Sequence, residues 1–177
     1  MNFRFRVQAR FRAWLRREDG GALAELAILV PLLAVMLAGV AEFGLYFQDY
    51  TTLAKSTRTA SRYLSNHQLN AAEFTRATNL VVCGKLACAA GDRTLVNGFN
   101  ASNVCIETVG SPKVTSVTVR IPRVAGNCGS VATAQAGTQA STPYTYNPFF
   151  DIGALLHTSL SLELPIAPST TMYYMID

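Results

Sequence analysis

The chain has 177 residues, half of them hydrophobic and only 15% charged, which is oily for a soluble domain of this size. Its net charge of +4 lies entirely in residues 1–20, where six arginines outweigh Glu18 and Asp19; the remainder carries nine basic and nine acidic groups. A basic leader on a neutral body excludes the basic folded face that nucleic-acid binding needs, so no nucleic acid is expected as a partner.

After the leader comes an apolar run. Leu26 to Ala41 is sixteen residues without a charge, and Leu23 to Phe47 is twenty-five predominantly apolar residues. A helix crosses the hydrocarbon core with about 20 residues, so a transmembrane span at about 23–47 is expected. Six arginines before the span and few cations just after it predict a cytoplasmic N-terminus and an exported C-terminal bulk. Three readings compete. A cleaved signal peptide finds small residues at Gly39 and Ala41, but its leader would be 41 residues long and its apolar run too extended. An uncleaved single-span anchor of a periplasmic binding or sensor domain leaves Glu25 unexplained.

The third reading gives Glu25 a purpose. Basic residues, Gly20, four further residues, Glu25 and then a long apolar helix resemble the processing site of type IV prepilins. Cleavage after Gly20 makes Gly21 the first residue and creates an amine about one helical turn from Glu25. The carboxylate then neutralises that amine or a neighbouring subunit's, and an intramembrane carboxylate with a plausible partner is a functional residue by default. The doublet Gly20-Gly21 leaves the scissile bond open by one position.

Further along, Pro31 removes one backbone hydrogen bond and is expected to kink the helix or loosen a turn; membrane helices also simply tolerate proline. Ala34, Ala38 and Ala41 form a small-residue stripe of the kind that lets helices approach closely in lipid. Tyr46, Tyr50, Leu53, Thr57, Ala60 and Leu64 continue on one face, with Lys55, Arg58 and Arg62 largely elsewhere. The spacing predicts one helix from about Ala22 to Leu64, roughly 65 Å long. Glu42, near the outer edge of the span, is expected at the interface, within reach of headgroups or water.

The stretch from Gly20 to Ser65 resembles the TadE-like family of the tight-adherence (Tad/Flp) pilus system. The features that carry the resemblance are the Gly-to-Glu segment, Pro31, "GVAEFG" at Gly39–Gly44 and "RTASRYLS" at Arg58–Ser65. Beyond it the likeness is loose, through a β-rich region with "VTVRIP" at Val117–Pro122. Leu26 stands where an aromatic residue often follows the glutamate in this system. The resemblance implies an α+β fold: a long transmembrane helix continuing into a small disulfide-bonded, β-rich globular domain, a pilin-like lollipop. It also implies a minor pilin or pseudopilin, with a prepilin peptidase, other Tad pilins and pseudopilins, the inner-membrane pilus assembly platform and the lipid bilayer as partners. The expected segments are 1–20, a cleaved leader; 21–65, the long helix; and 66–177, a periplasmic domain. Incorporation into an extracellular pilus is the further expectation.

Asn70 is placed to cap a short helix, "AAEFTRATNLVV", with Glu73 in a capping-box position. Alternation predicts strands at Val117–Ile121 and Leu160–Leu164, with weaker signals at Val104–Val109 and Thr171–Ile176. Residues 129–142 read as a long exposed loop, and "PYTYNPFF" at Pro143–Phe150 as a return to the core. Cys83, Cys88, Cys105 and Cys128 all lie on the exported side, an even count that argues for two disulfides. Three pairings are open; local closure favours Cys83–Cys88 with Cys105–Cys128. Zinc is the competing use, but no close pair has CxxC spacing and the histidines are remote. His67 reads as a solvated helix end and His157 as a core histidine. Neither has a third partner for a triad, the carboxylates are scattered, and no P-loop or dinucleotide fingerprint occurs. No catalysis, no metal and no cofactor are expected.

Overall fold

The computed structural model describes residues 19–110, 113–128, 140–150 and 163–176. The chain divides into two units, Met1–Glu42 and Phe43–Asp177. Helix α1 (Asp19–Ser65) is 47 residues long, about 70 Å at the α-helical rise. It supplies every described residue of the first unit and opens the second. Helix α2 (Ala71–Val82), a 3-10 turn (Ala101–Asn103) and five strands follow: β1 (Cys105–Val109), β2 (Ser116–Arg120), β3 (Gly126–Asn127), β4 (Ala140–Ser141) and β5 (Ser169–Tyr173).

In the first unit no side chain from Gly21 to Ala41 is buried. Leu23, Ile28 and Val40 are 68%, 72% and 72% exposed. So much contiguous apolar surface needs lipid or other helices around it. Among the described residues α1 is the one helix long and apolar enough to cross a membrane.

The second unit has the core. Strands β1, β2 and β5 form an antiparallel sheet in the order β1-β2-β5, with Val119 paired to Ile106 on one side and Thr170 on the other. Val117 and Val119, the alternating apolar residues of the central strand, are fully buried with Leu53, Ala60 and Leu64 of α1. Polar contacts hold α1 along β5: the Ser61 hydroxyl donates to the Thr170 carbonyl at 3.0 Å, and the Met175 N–H to the Ser65 carbonyl at 3.1 Å. The edge strand's backbone is thus partly satisfied by a helix. On α2, Ala77 and Val81 face the same core.

Asn70 caps α2, its side-chain oxygen accepting from the Glu73 N–H at 3.0 Å. The reciprocal half of a capping box is replaced. The Glu73 carboxylate instead accepts from the Tyr63 hydroxyl on α1 and pairs with Arg76 at 2.7 Å. Bonding to that carboxylate, with burial adding to it, raises the Tyr63 phenol above its ordinary pKa. Glu73 thereby joins two helices instead of closing its own first turn.

The disulfides are Cys83–Cys88 and Cys105–Cys128, with Cα separations of 6.2 and 5.6 Å. They close the pairing that locality favoured. Where β1 turns toward β2, Gly110 has φ +124°, and a Cβ there would stand 2.2 Å from the Lys113 carbonyl oxygen, so only glycine fits.

Several expectations shift. Of the strand expected at Leu160–Leu164, residues 160–162 lie outside the described residues, and Glu163 and Leu164 are not in a strand. The extended pairing falls later: Thr145 bridges Pro165, with the Tyr146 N–H donating to the Leu164 carbonyl and the Ile166 N–H to Tyr144. Pro165 has no N–H for a regular ladder, which keeps this an isolated bridge. The expected loop at 129–142 ends early, because Ala140 and Ser141 form β4 against β3 and Ser141 is buried; 129–139 lie outside the described residues. Of the four aromatics in Pro143–Phe150, Tyr144 and Tyr146 enter the core, while Phe149 and Phe150 are exposed.

Candidate processing and assembly segment

The described helix begins at Asp19, so Gly20 and Gly21 occupy its first turn. Each glycine costs a helix interior about 1 kcal/mol relative to alanine, and the first turn frays most readily. A Cβ on Gly21 would meet nothing within 4 Å, so packing within this chain does not require glycine there. Glu25 follows four residues after Gly21, exposed and about 6 Å further along the axis. An amine at Gly21 would lie at the positive end of the helix dipole, where a carboxylate offsets both charges. The arginines at 4 to 17 lie outside the described residues.

Pro31 stands inside α1, and the helix runs through it without interruption, so no turn is melted. The carbonyl of Ala27 therefore lacks its usual N–H partner. Ala34 and Ala41 are exposed and Ala38 is half-buried, among exposed Leu33, Leu37 and Val40. In the second unit Leu53 is completely buried. Tyr46 is half-buried, its ring edge-on to Tyr146 at 5.6 Å. Tyr50 departs from the expected face, being 39% exposed. The inward line passes instead through Tyr46, Asp49 and Leu53, with spacings of three and four residues. Glu42 lies one turn before Tyr46 on that line and is 2% exposed, not at an open interface.

Asp49 is what sequence reasoning missed, whereas Glu42 was read and is more covered than expected. The available signal was an acidic residue at i+3 from Tyr46 and i−4 from Leu53, on the covered face. Among the described residues no group of three or more potential metal ligands gathers. His67 stacks on Tyr63 at 3.9 Å, with Nδ1 2.7 Å from the Tyr63 carbonyl oxygen, as an exposed helix end would; His157 lies outside the described residues.

No curated protein and no solved structure matches the chain. One family model does, and it starts at Gly20, takes in Glu25, Pro31 and the alanine stripe, and stops within the last turn of α1. The match is to the family described as TadE-like protein and covers residues 20–62, about a quarter of the chain, so this segment is similar to that family.

Proposed function

We propose that the chain is a minor pilin or pseudopilin of a Tad pilus. A prepilin peptidase cuts its precursor after Gly20 at the cytoplasmic face of the inner membrane. The mature helix stays in the bilayer at about residues 23–47, and residues 66–177 form a periplasmic domain. Glu25 neutralises the new amine at Gly21, its own or a neighbour's, as the subunit joins other Tad pilins and pseudopilins at the assembly platform. Pro31 and the stripe Ala34, Ala38 and Ala41 serve the packing of these helices. The observation that carries the reading is the match over residues 20–62, in which the Gly20–Glu25 spacing heads an apolar helix with no buried side chain from Gly21 to Ala41. Exposed apolar side chains suit a helix that exchanges lipid for other helices on entering a filament. The bare glycine suits a peptidase that needs an easily unwound bond.

The mass of the protein from membranes, with and without a prepilin peptidase, tests this. A start at Gly21 that disappears with the peptidase is expected. Gly20→Arg should abolish that cut. Retention of Met1 in both strains would make the chain an uncleaved anchor of a periplasmic domain.

A further inference from the structure

A cavity of about 440 Å³ opens in the second unit between α1, the turn at Asn97–Asn103 and the Pro143–Asn147 segment. That volume is in the range of small-ligand sites. Its principal lining residues are Asp49, Asn97, Asn103, Tyr144, Thr145 and Asn147, and Asp49 is the one charged group among them. The inner wall is fixed by its own bonds. The Asn103 amide donates to the Thr142 and Pro143 carbonyls at 3.1 and 3.3 Å, and the Tyr144 hydroxyl donates to the Asn97 carbonyl at 2.8 Å. Asn97, Thr145 and Asn147 form an exposed rim.

Asp49 is half-buried, and burial raises its pKa, with no hydrogen bond or nearby cation among the described residues opposing the shift. A partly desolvated carboxylate without a partner is a standing cost that a cation removes. One carboxylate among neutral amides is too little charge for a hard divalent ion, which takes six or more oxygen ligands. It suits a primary ammonium, whose three N–H donors match a carboxylate and amide oxygens.

The cavity's surroundings point to the source of that ammonium. On α1, Phe43 and Phe47, six and two residues before Asp49, are 67% and 57% exposed. In sequence, Phe149 and Phe150 follow the lining residue Asn147 by two and three positions and stack edge-to-face at 4.9 Å, Phe149 being 78% exposed. Exposed apolar rings on α1 and on the Pro143–Phe150 segment, both of which contribute to the polar cleft, suit seating at the headgroup–acyl boundary. We propose that the cavity receives the headgroup of an amino-phospholipid, its primary ammonium on Asp49 and its phosphate facing the rim amides of Asn97 and Asn147. The proposal rests on the membrane-anchored reading above. An ethanolamine headgroup is preferred to choline, whose quaternary nitrogen donates no hydrogen bond, and to the anionic glycerol headgroup, which Asp49 repels.

The test uses the full chain reconstituted in vesicles of equal parts phosphatidylethanolamine, phosphatidylcholine and phosphatidylglycerol. Co-flotation with the vesicles reports anchoring, and native mass spectrometry reports the lipids retained. The ethanolamine lipid should be enriched roughly tenfold over the choline lipid, the scale of one charge-assisted hydrogen bond. Asp49→Asn should remove the enrichment while co-flotation persists. Co-flotation with equal retention of the lipids, or an enrichment that survives Asp49→Asn, overturns the headgroup site and leaves the anchor standing; failure to co-float overturns the anchored reading first. Thermal shift of the detergent-solubilised chain with free phosphoethanolamine separates the sources. Stabilisation by the free compound without lipid enrichment would assign the cavity to a soluble amine and overturn the lipid.

Discussion

One helix serves two environments, and the contrast between its halves explains most of the molecule. From Gly21 to Ala41 no side chain of α1 is buried, although nearly all are apolar. From Leu53 to Ser65 the same helix buries Leu53, Ala60 and Leu64 together with Ser56, Thr57, Ser61 and Ser65. The outer half has fewer large apolar residues yet a real core face, because its small hydroxyl side chains let β5 approach closely and satisfy themselves on backbone carbonyls. Hydrophobicity in the inner half answers to a solvent; in the outer half, shape and polarity answer to a specific neighbour.

Paired truncations break this comparison most sharply. Leu64→Ala opens a hole in a closed core and should cost the second unit about 2–5 kcal/mol. Leu33→Ala, in a side chain that is 55% exposed, should leave the unit's stability unchanged within about 0.5 kcal/mol. Denaturant unfolding of the purified chain, followed by near-ultraviolet signals from the domain's tyrosines, reads both. Equal losses would show that the halves are not distinct.

The disulfides come next. Chain-entropy reasoning gives about 3 kcal/mol for Cys105–Cys128, which spans 23 residues, and about 2 kcal/mol for Cys83–Cys88, which spans five. Serine replacement of each pair should rank them in that order, measured as shifts in denaturation midpoint. Neither change should alter membrane extraction, since neither touches the inner half of α1.

The elements governed by one strong period were legible in the sequence. The end of α1 near Leu64, the alternation of Val117 and Val119, and the cap at Asn70 all follow from side chains that answer to a single face. The misses have physical causes. Strands β3 and β4 are two residues each, too short for any period, and exist because the Ser141 hydroxyl and backbone find Gly126. The expected Leu160–Leu164 alternation could not foresee that pairing would centre on Pro165. Glu73 satisfied the capping-box pattern, yet Tyr63 and Arg76 offered its carboxylate better partners. Of the candidate site, the Gly20–Glu25 spacing was visible because it is local. The cavity at Asp49 was not, since its walls come from segments about 50 and 95 residues away.

A smaller effect should come from the cap. Asn70→Ala removes one acceptor from the first turn of α2 and should cost about 1 kcal/mol. The Tyr63–Glu73 bond remains to hold the helix start against α1, so the loss should appear as faster amide exchange in α2 before any change in the sheet.

The smallest effect lies just beyond the inner half of α1, at Asp49, and its sign is its content. Burial raises the folded-state pKa above the usual 3.8, so the folded protein holds this proton more tightly than the unfolded chain. The stability contribution is therefore present below the unfolded value and lost as pH rises through the folded one. At neutral pH the ionised group is a net cost, well under about 1 kcal/mol because solvent still reaches it. Asp49→Asn should accordingly stabilise the detergent-solubilised chain slightly at pH 7, and the gain should shrink as pH falls through the Asp49 titration. Thermal unfolding of both proteins across pH 3–7 measures this. With an ammonium headgroup in the cavity the order should reverse, because the carboxylate then has the partner that the asparagine cannot replace. A residue that costs stability when empty and supplies it when occupied distinguishes a binding group from an incidental surface charge.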